Sequence, residues 1–177
     1  MSVEATAIAG LWRIFAKSAN DERGTVREFF RLSAYERARI GAPQRWAQIN
    51  VTWTRQCGLR GLHGEAMMKL VGVTAGEAFG AYLDARAGSS TYGTVVTVPL
   101  SVGVQVLVPP GVCNGFQATS DGGCQYLYCL DREWQSGMAG VAVNPIDPAL
   151  AIPWPLPPQL SDKDAAAPRF AQFAGER

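Results

Sequence analysis

The stretch Arg60–Glu65 reads RGLHGE and holds the only histidine among 177 residues. In an extended strand Arg60 and Leu62 would share one face, with Gly61 and His63 on the other. Gly64 would then leave space beside the imidazole. Lys69 follows closely and opens an apolar run that could pair beside this strand. An imidazole with an ammonium nearby suits proton abstraction next to a carbonyl. The ring takes the proton and the cation steadies the enolate oxygen. Two further groups fit such chemistry. Tyr128, in QYLYCL, shares a strand face with Tyr126 and could present its phenol as an acid. Asp162 or Asp164, in LSDKDAAAP, could reach back to orient a histidine. Each has a plainer reading: a packed or surface histidine, an edge-strand lysine, a packed strand tyrosine, a solvated loop. Composition and spacing alone establish a possible acid–base site and no more.

The totals exclude several other classes. The chain is long enough for one domain over residues 1–177 and too short for two comfortable ones. Sixteen basic against fifteen acidic residues, with no polybasic tract, give no footprint for nucleic acid or a membrane surface. The start, MSVEATAIAG, lacks the charged and apolar regions of a secretory signal. No apolar run approaches the roughly 18 residues of a membrane span. Cys57, Cys113, Cys124 and Cys129 form no C-x-x-C pair, so they read as reduced thiols packed in a cytoplasmic protein. One histidine and scattered cysteines cannot build the usual zinc, iron or copper site.

The elements that would position these residues are mostly strands. Nineteen glycines and eleven prolines punctuate short apolar runs, the rhythm of an all-β sandwich or barrel. Strands are expected at Gly10–Ala16, Thr25–Phe30, Trp46–Trp53, Arg60–His63, Lys69–Val73 and Glu77–Ala85, the last two joined by a tight turn at Thr74-Ala75-Gly76. More follow at Thr94–Leu100, Val104–Pro109, Gly115–Thr119, Cys124–Leu130 and Gly140–Asn144. Ser120-Asp121-Gly122-Gly123 has the composition of a hairpin loop. One short helix is expected from Ser33 to Arg39, because Ser33-x-x-Glu36 has capping-box spacing and Gly41 and Pro43 follow as stops. From Asn144 onward the prolines predict an irregular wrap. Roughly ten short strands in one domain point to a jelly roll or a similar double sheet.

Longer strings carry a resemblance. DERG (Asp21–Gly24), RGLH, KLV (Lys69–Val71), PPGVCNGF (Pro109–Phe116), LY (Leu127–Tyr128) and DPALAIPWP…LSDKDAAAP resemble the dTDP-4-dehydrorhamnose 3,5-epimerase family. They occur in the family's order over nearly the whole chain. The resemblance implies a cupin-type jelly roll working as a homodimer, with no metal and no other cofactor. It implies an isomerase that inverts C3, C5 or both in a nucleotide-linked 4-keto-6-deoxy sugar. A single-centre epimerase and a catalytically inactive sugar-nucleotide binder are the alternatives. Carried over by position, His63 is the general base, Asp164 its orienting carboxylate and Tyr128 the acid on the opposite face. Lys69 stabilises the enolate oxygen. Arg23, Glu28, Gln48, Asn50 and Arg60 fall where the family binds the nucleotide diphosphate and base. The N-terminal run with Trp12 and Phe15 would be the strand that family members exchange between subunits. Three departures stand out. Asn114 replaces the family's usual histidine after P-x-G-x-x, and its amide can still donate to the keto oxygen. H-F-Q becomes H-G-E, and the paired tyrosines after the Tyr128 strand are replaced by a segment in which Trp134 could stack on a base. On charge alone, Lys69 is expected to carry more of the enolate stabilisation than Asn114.

Overall fold

Valine-, leucine- and tyrosine-rich runs, too short to hide both faces alone, assemble into two sheets that bury their inner faces against each other. The structure, a computed structural model, describes residues 1–176. An N-terminal hairpin, β1 (Ser2–Ala5) and β2 (Trp12–Phe15), precedes a ribbon of β3 (Ser18–Asp21) and β4 (Gly24–Arg27). Helix α1 (Leu32–Ala38) follows, then β5 (Gln48–Thr54), β6 (Leu59–Glu65), β7 (Lys69–Ala75) and β8 (Ala78–Asp84). The series continues with β9 (Val95–Leu100), β10 (Val104–Val108), β11 (Val112–Ala118), β12 (Cys124–Leu130) and β13 (Gly140–Ala142). A short helix, α2 (Asp162–Ala165), lies between 3-10 helices at Pro148–Leu150 and Phe170–Glu176.

The first sheet runs β1-β2-β10-β7-β12-β5 and the second β13-β6-β11-β8-β9. From β5 to β8 and again from β9 to β13, each strand lies in the opposite sheet from the one before it. This alternation makes the fold a cupin-type jelly roll, and it corrects one expectation. Ser120–Gly123 carries the chain from β11 in one sheet to β12 in the other, so it is a crossover and not a hairpin loop. Likewise β7 does not pair beside β6; Lys69 projects from the facing sheet.

Three apolar layers hold the sheets. Between them, Val71, Val73, Val106 and Val108 meet Tyr82, Val98, Phe116 and Ala118. Outside the first sheet, Ile14, Leu70, Leu107 and Cys129 are covered by Tyr35, Ile40, Phe30 and Trp46 from α1 and its flanks. There the chain leaves the strand expected to reach Phe30: β4 ends at Arg27, because Gln105 Nε2 donates to the Phe29 carbonyl and Tyr35 Oη donates to Gln105 Oε1. The Ser33–Glu36 box does not form. The helix is capped at Arg31 without a side-chain bond, which places Ser33 inside the first turn. Outside the second sheet, Leu62, Ala81, Leu83 and Cys113 are covered by Val143, Leu150, Trp154 and Phe170 of the C-terminal wrap. The wrap is more regular than its prolines suggest, since it contains α2. It also explains a buried glutamine: Gln117 Nε2 donates to Leu156 O at 2.8 Å and Gln117 Oε1 accepts from Leu156 N–H at 3.1 Å. A proline-rich coil thereby meets its hydrogen-bonding needs against a sheet. The four thiols are free, and burial pushes Cys113 up to about 12.

One buried carboxylate ties the loop after β8 to the N-terminal segment. Asp84 accepts from Arg86, Ser89 and Thr91, while Arg86 also donates to the Ala9 carbonyl. Burial alone would raise the Asp84 pKa, but these donors outweigh it and hold the carboxyl well below the ordinary range. A depressed folded pKa gives stability that is present above the unfolded value near 3.9 and fades as pH falls toward the folded one. Asp84→Asn should therefore destabilise the protein at pH 7 by about 1.5–3 kcal/mol, the scale of charge-assisted hydrogen bonds. Urea unfolding at pH 7 and pH 3 checks this, with the gap between variant and parent narrowing in acid.

Candidate active site

Strands β6 and β11 fix the histidine. His63 sits directly opposite Asn114, and Arg60 opposite Phe116. Between these two pairs β6 carries one more residue than β11, a bulge that turns the strand. Strict alternation would have put Arg60 and His63 on opposite faces. The bulge instead places Arg60, His63 and Glu65 together along a groove of about 1230 Å³ open between the sheets, while Leu62 turns into the apolar layer under the C-terminal wrap. The glycines here serve strand packing, not access to the ring. A Cβ on Gly61 would stand 2.6 Å from Gly115 Cα, and one on Gly64 would stand 2.7 Å from Cys113 Sγ.

Asp164 reaches His63 from α2. Ser161 caps that helix by accepting from the Asp164 N–H at 3.2 Å, which sets Asp164 in the first turn. Its carboxylate side chain is 8% exposed and its Oδ1 lies 2.7 Å from His63 Nε2. A carboxylate accepts only, so Nε2 carries the hydrogen and the lone pair is left on Nδ1. The solvated-loop reading fails for Asp164 because the loop is a capped helical turn. The Ser161-x-x-Asp164 spacing was the signal for it.

Across the groove, Lys69 opens β7 with its side chain 8% exposed. Its ammonium pairs with the Glu65 carboxylate and donates to Asn114 Oδ1 at 2.7 Å and to the His63 carbonyl at 3.2 Å. Tyr128 faces the groove from β12 in the first sheet, opposite the sheet that carries His63. Tyr126 on the same face is buried and stacks on Phe116 with centroids 3.8 Å apart. Burial raises its phenol pKa, opposed by the neighbouring Asn114 side chain.

The groove continues along edge strand β5, whose inward residues are polar. Gln48 Nε2 donates to Asn50 Oδ1 at 3.2 Å, and Gln48 Oε1 accepts from the Trp134 backbone N–H at 2.7 Å. This bond fixes the loop after β12 and leaves the Trp134 ring 51% exposed at the groove. Arg60 Nε donates to Thr54 Oγ1 at 3.0 Å, and among the described residues no other side chain engages its fork. Arg23 and Glu28 are not brought to this groove. Arg23 is 89% exposed at the tip of the β3–β4 ribbon and pairs with Asp21, while Glu28 pairs with Arg31. Sequence reasoning named Glu65 without a role, and it missed Thr54 and Phe116. Among the described residues no three histidine, cysteine or acidic side chains converge as a metal site would require.

The sequence profile described as dTDP-4-dehydrorhamnose 3,5-epimerase matches residues 5–172. A protein of that name from Salmonella typhimurium is 35% identical over 180 residues, covering 97% of this chain and 97% of its own. A dTDP-4-dehydro-6-deoxyglucose 3-epimerase from Streptomyces bikiniensis is 31% identical, over 93% of this chain and 87% of that protein. Among solved structures, dTDP-6-deoxy-D-glucose-3,5-epimerase from Legionella pneumophila, in complex with dTDP-4-keto-L-rhamnose, superposes with a TM-score of 0.90 at 35% identity. That match covers 99% of this chain and 95% of the other.

The close approach at Gly61 should be sensitive to a single methyl. Gly61 has φ +119°, and its would-be Cβ faces backbone that cannot yield. Gly88, at φ +75°, has open space around it. Gly88→Ala should cost only the strain of a left-handed residue, about 1 kcal/mol. Gly61→Ala adds overpacking of about 1–3 kcal/mol and should cost more. Thermal unfolding of the two variants side by side checks the order.

Proposed function

This chain belongs to the dTDP-4-dehydrorhamnose 3,5-epimerase family, and from that premise we propose how its groove works. It is an isomerase, an epimerase of a nucleotide-linked 4-keto-6-deoxy sugar that inverts C3, C5 or both through an enolate. The observation that carries the assignment of roles is the His63–Asp164 pair, set in a groove whose facing wall presents Tyr128.

Asp164 accepts from His63 Nε2–H, holds the ring in one tautomer and stabilises the imidazolium that forms. Nδ1 takes the proton from the carbon beside the keto group, and the C–H electron pair moves into the enolate. The charge that develops on the keto oxygen is met at the Lys69–Asn114 end of the groove. Tyr128 then returns a proton to the same carbon from the other side of the ring. Removal and return on opposite faces invert the centre, so the two groups must stand on facing walls. Arg60, with its Nε held by Thr54, offers the rest of its fork to the diphosphate. Gln48 and Asn50 offer amides to the base, and Trp134 offers a ring to stack on it.

The working unit in this proposal is a homodimer. Ile49, Val51 and Trp53 are each 58% exposed on the outer face of edge strand β5, an apolar stripe of the kind that a second copy covers. Arg23 and Glu28, remote from the groove of their own chain, would complete the groove of the other. The strand with Trp12, the candidate for exchange between subunits, pairs with β1 and with β10 in the single chain.

His63→Asn should abolish solvent deuterium incorporation at every carbon of dTDP-4-dehydro-6-deoxyglucose, followed by proton NMR in heavy water. Tyr128→Phe should still exchange at C3, C5 or both, yet impair inversion, most severely at C5. Substantial exchange by His63→Asn would show that another residue is the base. Trp53→Glu should shift the protein toward monomer in sedimentation velocity; an unchanged dimer would place the interface elsewhere.

A further inference from the structure

Lys69 carries three N–H donors, and three acceptors already surround its ammonium: the Glu65 carboxylate, Asn114 Oδ1 and the His63 carbonyl. In the unliganded groove these acceptors match its three donors, so the ammonium is held toward the protein. Asn114 differs from Lys69 in access, being half-buried on the groove wall where the ammonium is nearly sealed. An amide whose oxygen accepts from a cation has its orientation fixed, and its two Nδ2 hydrogens point away from that cation, one toward the neighbouring Tyr126 phenol and the other left for a ligand in the groove. Hydrogen bonds in series also polarise one another, so the bound charge strengthens the amide as a donor. We infer that Glu65 is a positioning residue for the epimerisation: with Lys69 it holds the Asn114 carboxamide so that Nδ2–H donates directly to the enolate oxygen.

This deepens the functional reading above and rests on it. Lys69 and Glu65 act through Asn114, and Asn114 is the group that touches the reacting oxygen. The order expected from charge alone, with Lys69 above Asn114, is reversed. Glu65 does two things at once. It keeps the ammonium from swinging toward the substrate, and it supplies the counter-charge without which a buried cation would sit uncompensated.

The test is a double-mutant cycle on solvent deuterium exchange, with dTDP-4-dehydro-6-deoxyglucose as the probe. Asn114→Ala should lower kcat about 10²–10³-fold, the usual cost of one oxyanion donor. Glu65→Gln keeps the shape and an acceptor but loses the charge-assisted bond, and should lower kcat about tenfold with KM little changed. In the Asn114→Ala background Glu65→Gln should cost almost nothing further. Equal losses in both backgrounds, or near-full exchange by Asn114→Ala, would overturn the inference. A second readout needs no turnover: the side-chain amide ¹⁵N–¹H signals of Asn114 in the unliganded protein should move in Glu65→Gln. Unmoved signals would overturn the positioning role even if the protein exchanged no proton of this sugar, a result that would count instead against the functional reading.

Discussion

A charged amine sealed between two sheets must be surrounded by acceptors, and in this fold the acceptors come from three directions. Lys69 begins β7 in one sheet, while His63, Glu65 and Asn114 belong to β6 and β11 in the other. Each contact therefore crosses the interior. Along the rest of that interior the same space is filled by valines and aromatic rings. The ion pair is where the apolar core stops and the groove begins. Desolvating an ammonium without partners would cost several kcal/mol, so the two sheets are held in register at this end by a requirement that apolar packing does not impose.

The C-terminal wrap shows how one segment meets two needs. Its apolar residues cover the outer face of the second sheet, without which Leu62, Ala81 and Leu83 would face water. Its backbone, poor in donors because of its prolines, is anchored at few points: Gln117 against Leu156, and Gln159 against Cys57 and Leu59. Those anchors deliver the chain to Ser161, and the Ser161 cap delivers Asp164 to the histidine. The carboxylate is thus positioned by packing on the far side of the sheet from the groove, and α2 is too short to stand without it.

Much of this was legible in the residues. The alternating apolar runs gave most of the strands and the jelly roll, and the family strings placed His63, Tyr128, Lys69, Asp164 and Asn114 on one groove. What was not legible has a common cause: it depends on partners distant in sequence. The β6 bulge lies where Gly61 and Gly115 approach closely, and a period of two cannot show that Arg60 and His63 end on one face. Ser33 has capping spacing, but α1 is capped two residues earlier, at Arg31, and its Tyr35 bonds to the distant Gln105. Ser120–Gly123 has turn composition, yet composition does not say whether a turn joins neighbours in one sheet or crosses between two. Arg23 and Glu28 show the same limit, since nothing in their own chain brings them to the groove.

Two departures from the family strings, Asn114 and Glu65, were separate in sequence and meet on a single ammonium in the fold. Taken singly, each looks like a loss: a neutral amide where a histidine is usual, and an added negative charge close to where an enolate must form. Together they are coherent. The carboxylate cancels the net charge of Lys69, and the amide oxygen draws what remains into a fixed dipole directed along the groove. A transition state that develops charge is best served by dipoles already in place, and net positive charge is not required for that. Arg60, whose Nε is held by Thr54, then presents the rest of its fork to the groove. The permanent charge of a diphosphate and the transient charge of an enolate are in this way met by different means at different places. A cation engaged with the diphosphate, whose charge does not change, binds the substrate and its enolate alike and lowers KM without raising kcat. A donor at the keto oxygen interacts more strongly as that oxygen gains charge, and so favours the enolate.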